Sequence, residues 1–262
     1  MKYGISKLSI IPVRKKPLET SEMVTQILFG ETYEILKENR KWQYIKLNYD
    51  SYEGWIDKKM SHPLDKRHYN LYSRTEPFIT SDLCSTVVSD IKSVTTIVAG
   101  STIYGHIGKK TFRLQKEKYK AVKAFSVSGT KDKRSRIVEV SAKYLNSPYL
   151  WGGRSPFGID CSGFTQIVYK IAGIRIPRDV SQQVQLGVNV DFVNEARPGD
   201  LAFFDDHDGK IIHTGIILEK GKIIHASGMV RIDNLDHEGI NRSDNRHYTH
   251  HLRLVKNIID HI

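Results

Sequence analysis

The sequence predicts two small all-β barrels followed by an α+β domain, with boundaries at residues 1–64, 69–128 and 129–262. Three observations carry this reading. The first half is a series of short apolar runs separated by turn residues, at the spacing of small barrels or sandwiches. Next, the glycine-rich stretch Tyr149–Phe164 (YLWGGRSPFGIDCSGF) opens a run of helical period. Phe164, Ile167, Val168 and Ile171 fall at i, i+3, i+4 and i+7, one apolar face. Beyond it lie three strand-like runs, and helices followed by antiparallel strands read as α+β.

The first barrel is assembled from SKLSIIPV, MVTQILF, TYEILKE, WQYIKL and YEGWID, punctuated by Gly30, Asn39-Arg40 and Asp50. The polar segment His62–His68 reads as a linker. The second barrel takes STVVSDI, VTTIVAG, STIYGHIG, KTFRLQ and YKAVKAFSV, and the charged run Gly129–Arg134 reads as a second linker. In the third region RIVEVSAKYLN has helical spacing through Ile137, Val140, Tyr144 and Leu145, and Asn146 and Pro148 end it. Arg197-Pro198-Gly199-Asp200 is a turn. LAFFD, IIHTGIILE and KIIHASG are the strand-like runs.

Of the 262 residues, 39% are hydrophobic, enough for folded cores. The net charge of +11 comes from Lys and Arg scattered along the chain without interleaved aromatics. This reads as solvated surface and not as a nucleic-acid interface, although a basic surface favours carboxylate-rich substrates. Two cysteines, Cys84 and Cys161, make no disulfide framework, and without paired cysteines or a tight Cys/His cluster no metal or cofactor is expected. No run has the eighteen or so apolar residues of a membrane span. The N-terminal run MKYGISKLSIIPVRKKP does not read as a signal peptide, so the expectation favours the cytoplasm. A periplasmic or secreted location would require a leader. The chain is expected to be a monomer.

Chemistry concentrates on three residues. Cys161 sits at the first turn of the predicted helix, where unpaired N–H groups and the helix dipole favour an anion and a lowered thiol pKa. His213 and His225 lie in consecutive strands joined by Glu219-Lys220-Gly221. A three-residue loop ending in Gly sets Gly215 opposite His225, so the two histidines share a face as diagonal neighbours. A two-residue loop at Lys220-Gly221 would put them on opposite faces. A thiol nucleophile needs a base, and the base needs a third group to orient it. Each of these residues alone reads as packing; their joint order is harder to explain that way. His207, His237, His247, His250, His251 and His261 lie in polar, loop-like sequence and are given no role.

Residues 1–64 resemble a bacterial SH3-like domain through the strand Trp42-x-x-Ile45-x-Leu47 followed by Gly54-Trp55-Ile56, and a second barrel of the same kind follows. The third region resembles the NlpC/p60 cysteine peptidases. The resemblance rests on Pro148–Gly153, Ser155–Gly158, Asp160-Cys161-Ser162-Gly163-Phe164, Arg197–Leu201, His213–Ile216 and Ile224–Gly228. Thr214 departs from the Val often found there. The resemblance implies a reduced papain-like fold, with Cys161 as nucleophile, His213 as base and His225 as orienting residue. Members with SH3-like domains ahead of the peptidase are similar to γ-D-glutamyl-L-diamino-acid peptidases. These cut between D-Glu and meso-diaminopimelate or L-Lys in peptidoglycan peptides, release L-Ala-γ-D-Glu, and in several cases require a free N-terminal L-Ala.

The same resemblance implies a substrate wall of Tyr149, Trp151, Asp160 and Ser162, with Asp160 facing the α-ammonium of L-Ala. Arg178 or Asp179, in the matching segment Ile176–Asp179, faces the D-Glu carboxylate or the edge of the site. Tyr52, and more weakly Glu22, are the candidates from the first barrel. Two other function classes stay open: a wall-binding protein carried by its SH3-like modules, and an amidase or acyltransferase on the same fold.

Overall fold

Alternation of apolar and polar side chains organises the N-terminal strands. The computed structural model describes residues 2–105, 110–123 and 132–261. Backbone contacts divide the chain into two units, residues 1–129 with 151–155, and residues 130–150 with 156–262. In the first unit β1 (Lys2–Ile5), β2 (Ile10–Arg14), β3 (Met23–Leu28), β4 (Thr32–Glu38), β5 (Trp42–Leu47), β6 (Glu53–Asp57) and β7 (His62–Leu64) form an antiparallel sheet in the order β3-β2-β6-β5-β4-β1-β7. Ile11 and Val13 of β2 point inward with Ile27, Tyr33, Ile45, Leu47 and Ile56 and make the barrel's core. This is the small SH3-like β domain that the sequence predicts.

The expected linker at His62–His68 is instead structured. Its first part is β7, which pairs with β1, and its second part begins α1 (Lys66–Arg74). The Asp65 carboxylate accepts the His68 N–H at 2.9 Å and caps the helix. Hydropathy misses both elements because only Leu64 and Tyr72 turn their side chains fully inward. Next come β8 (Phe78–Ile79), β9 (Cys84–Ser89), β10 (Val94–Val98), β11 (Thr102–Ile103), β12 (Thr111–Leu114) and β13 (Glu117–Ala121). Four of these form a sheet in the order β10-β9-β13-β12, and β8 pairs with β11. Leu64 and Tyr72 join Tyr3, Ile5 and Phe29 to Val87, Ile97, Phe112 and Tyr119 in one cluster, so the two β modules share a core. Parts of the expected runs 101–108 and 119–127, and Gly129–Lys131 of the expected second linker, lie outside the described residues.

The second unit begins with α2 (Lys133–Lys143), whose N-cap Asp132 accepts from the Ser135 N–H at 3.1 Å. The expected linker therefore ends in a helix start. The two-residue strands β14 (Arg154–Ser155, in the first unit) and β15 (Gly158–Ile159) precede α3 (Cys161–Ile171) and the short α4 (Val180–Gln183). After them come β16 (Val188–Val190), β17 (Leu201–Asp205), β18 (Ile211–Glu219), β19 (Lys222–Ser227), β20 (Met229–Leu235), β21 (Gly239–Asn241) and β22 (Tyr248–Asn257). The sheet runs β16-β22-β17-β18-β19-β20-β21, and β21 pairs back to β22, which closes six of its strands into a barrel. Ala202, Phe204, Ile217, Ile223, Leu235, Ile240 and Val255 fill one face. The opposite face of β18 and β19 packs on α3.

The predicted one-faced amphipathic helix is buried all round: all eleven residues of α3 are buried. Its apolar residues Phe164, Ile167, Val168 and Ile171 each contribute about 1.5–3 kcal/mol by leaving water. The polar side is buried because it finds partners. Thr165 Oγ donates to Gln183 Oε1 at 2.7 Å, and the Tyr169 hydroxyl donates to the Gly199 carbonyl. Among the described residues no helix is long and apolar enough to cross a membrane.

Candidate active site

Cys161 is the first residue of α3, and Asp160 is its N-cap, accepting the Gly163 N–H at 2.7 Å. The cap fixes the helix start and with it the direction of the Cys161 side chain. Cys161 is 7% exposed. Its sulfur accepts from the main-chain N–H of Thr214, the residue after His213, so the nucleophile lies against β18 where the base is carried.

The hairpin that brings the histidines together has the register expected from the three-residue loop, Gly215 opposite His225, but reaches it through a different turn. Pairing closes at Glu219 opposite Lys222, leaving Lys220-Gly221 as the turn, with Gly221 at φ +74°. A bulge between Ile217 and Glu219 then shifts the ladder by one residue, and Gly215 falls opposite His225. The bulge restores the shared face that a two-residue loop alone would have destroyed. His213 Nε2 meets His225 Nδ1 at 2.9 Å. Gly215 is required by this approach, because a Cβ there would stand 2.8 Å from His225 Cβ and 2.7 Å from Ile223 Cδ1.

Two neighbours escape the sequence reading. Asp233, on β20, is fully buried and brings Oδ2 to 3.0 Å from His225 Nε2. His250, expected in a loop, lies on β22 with its ring stacked on His213, centroids 4.1 Å apart and planes at 25°. The period-two run His250-x-Leu252-x-Leu254 is the signal that could have marked this strand, and Arg231-x-Asp233-x-Leu235 the one before it. Both were masked by their high polar content.

Burial governs the electrostatics. It pushes the Cys161 thiol up to about 12, assisted by the Asp160 charge, and the opposing pull of the Thr214 and Ser162 main chain and of Arg178 does not compensate. The expected lowered thiol pKa therefore does not hold in the resting site, since desolvation outweighs the helix N-terminus. Burial, then His225 and His250, holds His213 well below the ordinary imidazole range. His225 is also lowered by burial, against the raising effect of Asp233. Asp233 is pushed up by its own burial, but hydrogen bonds from His225, Arg231 and the Ser243 N–H outweigh this and keep it ionised. Burial thus favours the neutral thiol at Cys161 and the neutral imidazole at His213. A neutral thiol and imidazole exchange the proton as the nucleophile attacks.

The remaining candidates divide between the two units. Tyr149 is half-buried, and burial followed by the charges of Cys161 and Asp160 raises its phenol to about 12, which places it beside the nucleophile. Arg178 is buried, with Nη2 at 2.6 Å from Asp160 Oδ2 and Nη1 at 2.8 Å from Ser162 Oγ. Asp160, Ser162 and Arg178 thus form one buried cluster under Cys161, and Asp160 is already neutralised by a cation. Asp179 stands at the N-cap of α4 and is half-buried. Trp151 belongs to the first unit, where its indole N–H donates to Glu22 Oε1 at 2.9 Å. Tyr52 packs against the first barrel's core.

Comparison with known proteins finds relatives of both units. The model of the NlpC/P60 family matches residues 146–252, and that of the bacterial dipeptidyl-peptidase Sh3 domain matches residues 13–59. The gamma-D-glutamyl-L-lysine dipeptidyl-peptidase of Bacillus subtilis (strain 168) is 31% identical over 222 residues, 77% of this chain and 71% of that protein. Dipeptidyl-peptidase 6 of Lysinibacillus sphaericus is 28% identical over 247 residues, 83% of this chain and 86% of the relative. Among solved structures, an NlpC/P60 family protein from Bacillus cereus ATCC 10987 superimposes with a TM-score of 0.82 over 98% of this chain and 99% of that one. At 18% identity that likeness shows the fold.

Proposed function

The chain belongs to the NlpC/P60 family of cysteine peptidases, and we propose that it hydrolyses the γ-D-glutamyl–L-diamino acid bond of short peptidoglycan peptides. The observation that carries this reading is the buried His213–His225 pair on β18 and β19, with Cys161 opening the helix that packs on those strands, in a chain similar, over 77% of its length, to a gamma-D-glutamyl-L-lysine dipeptidyl-peptidase. The Cys161 sulfur attacks the γ-carbonyl while His213 takes the thiol proton. His213 then returns that proton to the amine of the diamino acid as the C–N bond breaks. Water, deprotonated by the same imidazole, hydrolyses the thioester and frees L-Ala-γ-D-Glu. His225 keeps the His213 ring in the orientation both transfers need.

In this reading the peptide carries a free N-terminal L-Ala, and its two charged groups are recognised by Tyr149, Asp160, Ser162, Arg178 and Asp179. Because Asp160 is paired with Arg178, substrate engages the two as a unit and not Asp160 alone. Recycling of wall fragments is the setting that such a specificity fits.

The test is direct. L-Ala-γ-D-Glu-L-Lys and its diaminopimelate counterpart are incubated with the reduced protein, each with a free and an acetylated N-terminus. Release of L-Ala-γ-D-Glu from the free peptides alone is expected. Intact peptides in every arm would overturn the reading. A protein that sediments with insoluble sacculi without cleaving them would point to wall binding instead.

A further inference from the structure

We propose that Asp233 is a positioning residue for the reaction, the fixed acceptor that sets the proton positions of both histidines and leaves His213 Nδ1 as the basic atom. The inference rests on the cysteine-peptidase reading of the site but not on its substrate.

The hydrogen bonds run diagonally across three adjacent strands. His213 lies on β18, His225 on β19 and Asp233 on β20, where Ile223 pairs with Asp233 and His225 with Arg231. Asp233 is therefore the diagonal neighbour of His225 on its inward face. The carboxylate is fully buried and held by fixed donors. Arg231 Nε reaches Oδ2 at 2.7 Å, Arg231 Nη2 reaches Oδ1 at 2.9 Å, and the Ser243 main-chain N–H reaches Oδ1 at 2.8 Å. An ionised carboxylate only accepts. So the hydrogen atom in the 3.0 Å contact to His225 must sit on His225 Nε2. A neutral imidazole with Nε2–H has an unprotonated Nδ1, so His225 Nδ1 accepts from His213 Nε2–H across 2.9 Å. His213 in turn keeps its lone pair on Nδ1. One buried acceptor thus decides, two rings away, which nitrogen can take the thiol proton.

An amide in place of this carboxylate should reverse the order. Oδ1 faces two donors, Arg231 Nη2–H and the Ser243 N–H, neither of which can become an acceptor. At Oδ2 the partners are Arg231 Nε–H and His225, and His225 can switch. In Asp233→Asn the NH2 therefore settles toward His225 and donates to Nε2. His225 then carries Nδ1–H and donates to His213 Nε2, and the His213 proton moves to Nδ1, where it blocks the base.

Wild type, Asp233→Asn and Arg231→Met are compared by imidazole 15N NMR and by the rate of Cys161 alkylation with iodoacetamide, with the exposed Cys84 as internal control. Arg231→Met removes the same structural ion pair but leaves the acceptor to His225. The expected result for Asp233→Asn is a switch of His213 from Nε2–H to Nδ1–H, with Cys161 alkylation and kcat lowered about 10- to 100-fold and KM little changed. Arg231→Met should keep the wild-type tautomer and most of the alkylation rate. A folded Asp233→Asn protein with wild-type tautomer and alkylation would overturn the proposal, as would an equal loss in Arg231→Met. If Asp233→Asn does not fold, the wild-type spectrum decides, since Nδ1–H on His213 is incompatible with it. The tautomer and alkylation readouts use no peptide, so a wrong substrate assignment changes kcat and KM only and leaves these two standing.

Discussion

The ring of His250 lies on that of His213, with centroids 4.1 Å apart and planes inclined by 25°, while Phe204 closes against both. The base is thus gripped from three sides, by a stacked ring, a tilted one and the hydrogen bond to His225. Stacking contacts of this kind contribute about 0.5–1.5 kcal/mol. His250→Ala should therefore lower kcat about 2- to 12-fold by letting the His213 ring turn, with KM unchanged. His250→Phe, which keeps the stack, should recover most of the loss. Steady-state kinetics on both variants checks this, and equal activity of His250→Ala and wild type would refute it.

Activity and stability should part company in acid. His213 acts as a base only when neutral, and its pKa is held well below the ordinary value by burial. The acid limb of kcat/KM should therefore fall well below pH 6.5. Stability follows the opposite logic. His213, His225 and His250 are all lowered on folding, His250 to about 4, so the unfolded chain takes up protons first. Their contribution is intact above about pH 6.5 and is lost as pH falls toward the folded-state values. Thermal unfolding between pH 7.5 and 5 should show the Tm falling by about 4–8 °C, each kcal/mol being worth about 2–4 °C in a chain of this size. A flat Tm over this range would contradict the buried neutral histidines.

Gly215→Ala probes the hairpin. The added methyl would stand 2.8 Å from His225 Cβ and 2.7 Å from Ile223 Cδ1, so β18 and β19 must spread. Overpacking of this kind costs about 1–3 kcal/mol. Displacing the orienting ring by even 1 Å should lower kcat about 100-fold. Expected together are a modestly lowered Tm and a much larger loss of turnover, read by calorimetry and by peptide hydrolysis.

The Asp160–Arg178 pair is closed to solvent, so breaking it from one side strands a charge. Arg178→Met should cost about 3–5 kcal/mol. Adding Asp160→Asn should recover part of that, because the stranded carboxylate is removed while an acceptor for the Gly163 N–H remains. Chemical denaturation of the two single variants and the double variant gives the coupling. A coupling near zero would show that the pair does not act as one.

Much of this protein is legible in its sequence because the signals are local. The period of Phe164, Ile167, Val168 and Ile171 places a helix behind Cys161, and the run at Asp160–Phe164 with the strands at His213 and His225 points to thiol chemistry and its base. Strands β2 to β6 of the first barrel are readable one by one, while β1 and β7 are not. What the tertiary structure decided involves residues far apart in the chain. The bulge at Leu218 settles which face His225 presents, because a slip of one residue in a strand turns every side chain over. Closure of β21 on β22 carries the polar strand of His250 beside the base, and β20 brings Asp233 behind His225; a period within these segments can mark a strand, but it cannot say which strand it lies beside. The thiol pKa was decided in the same way. A helix N-terminus argues for a lowered value from sequence, but the depth of burial, set by how β18 and α3 pack, reverses it.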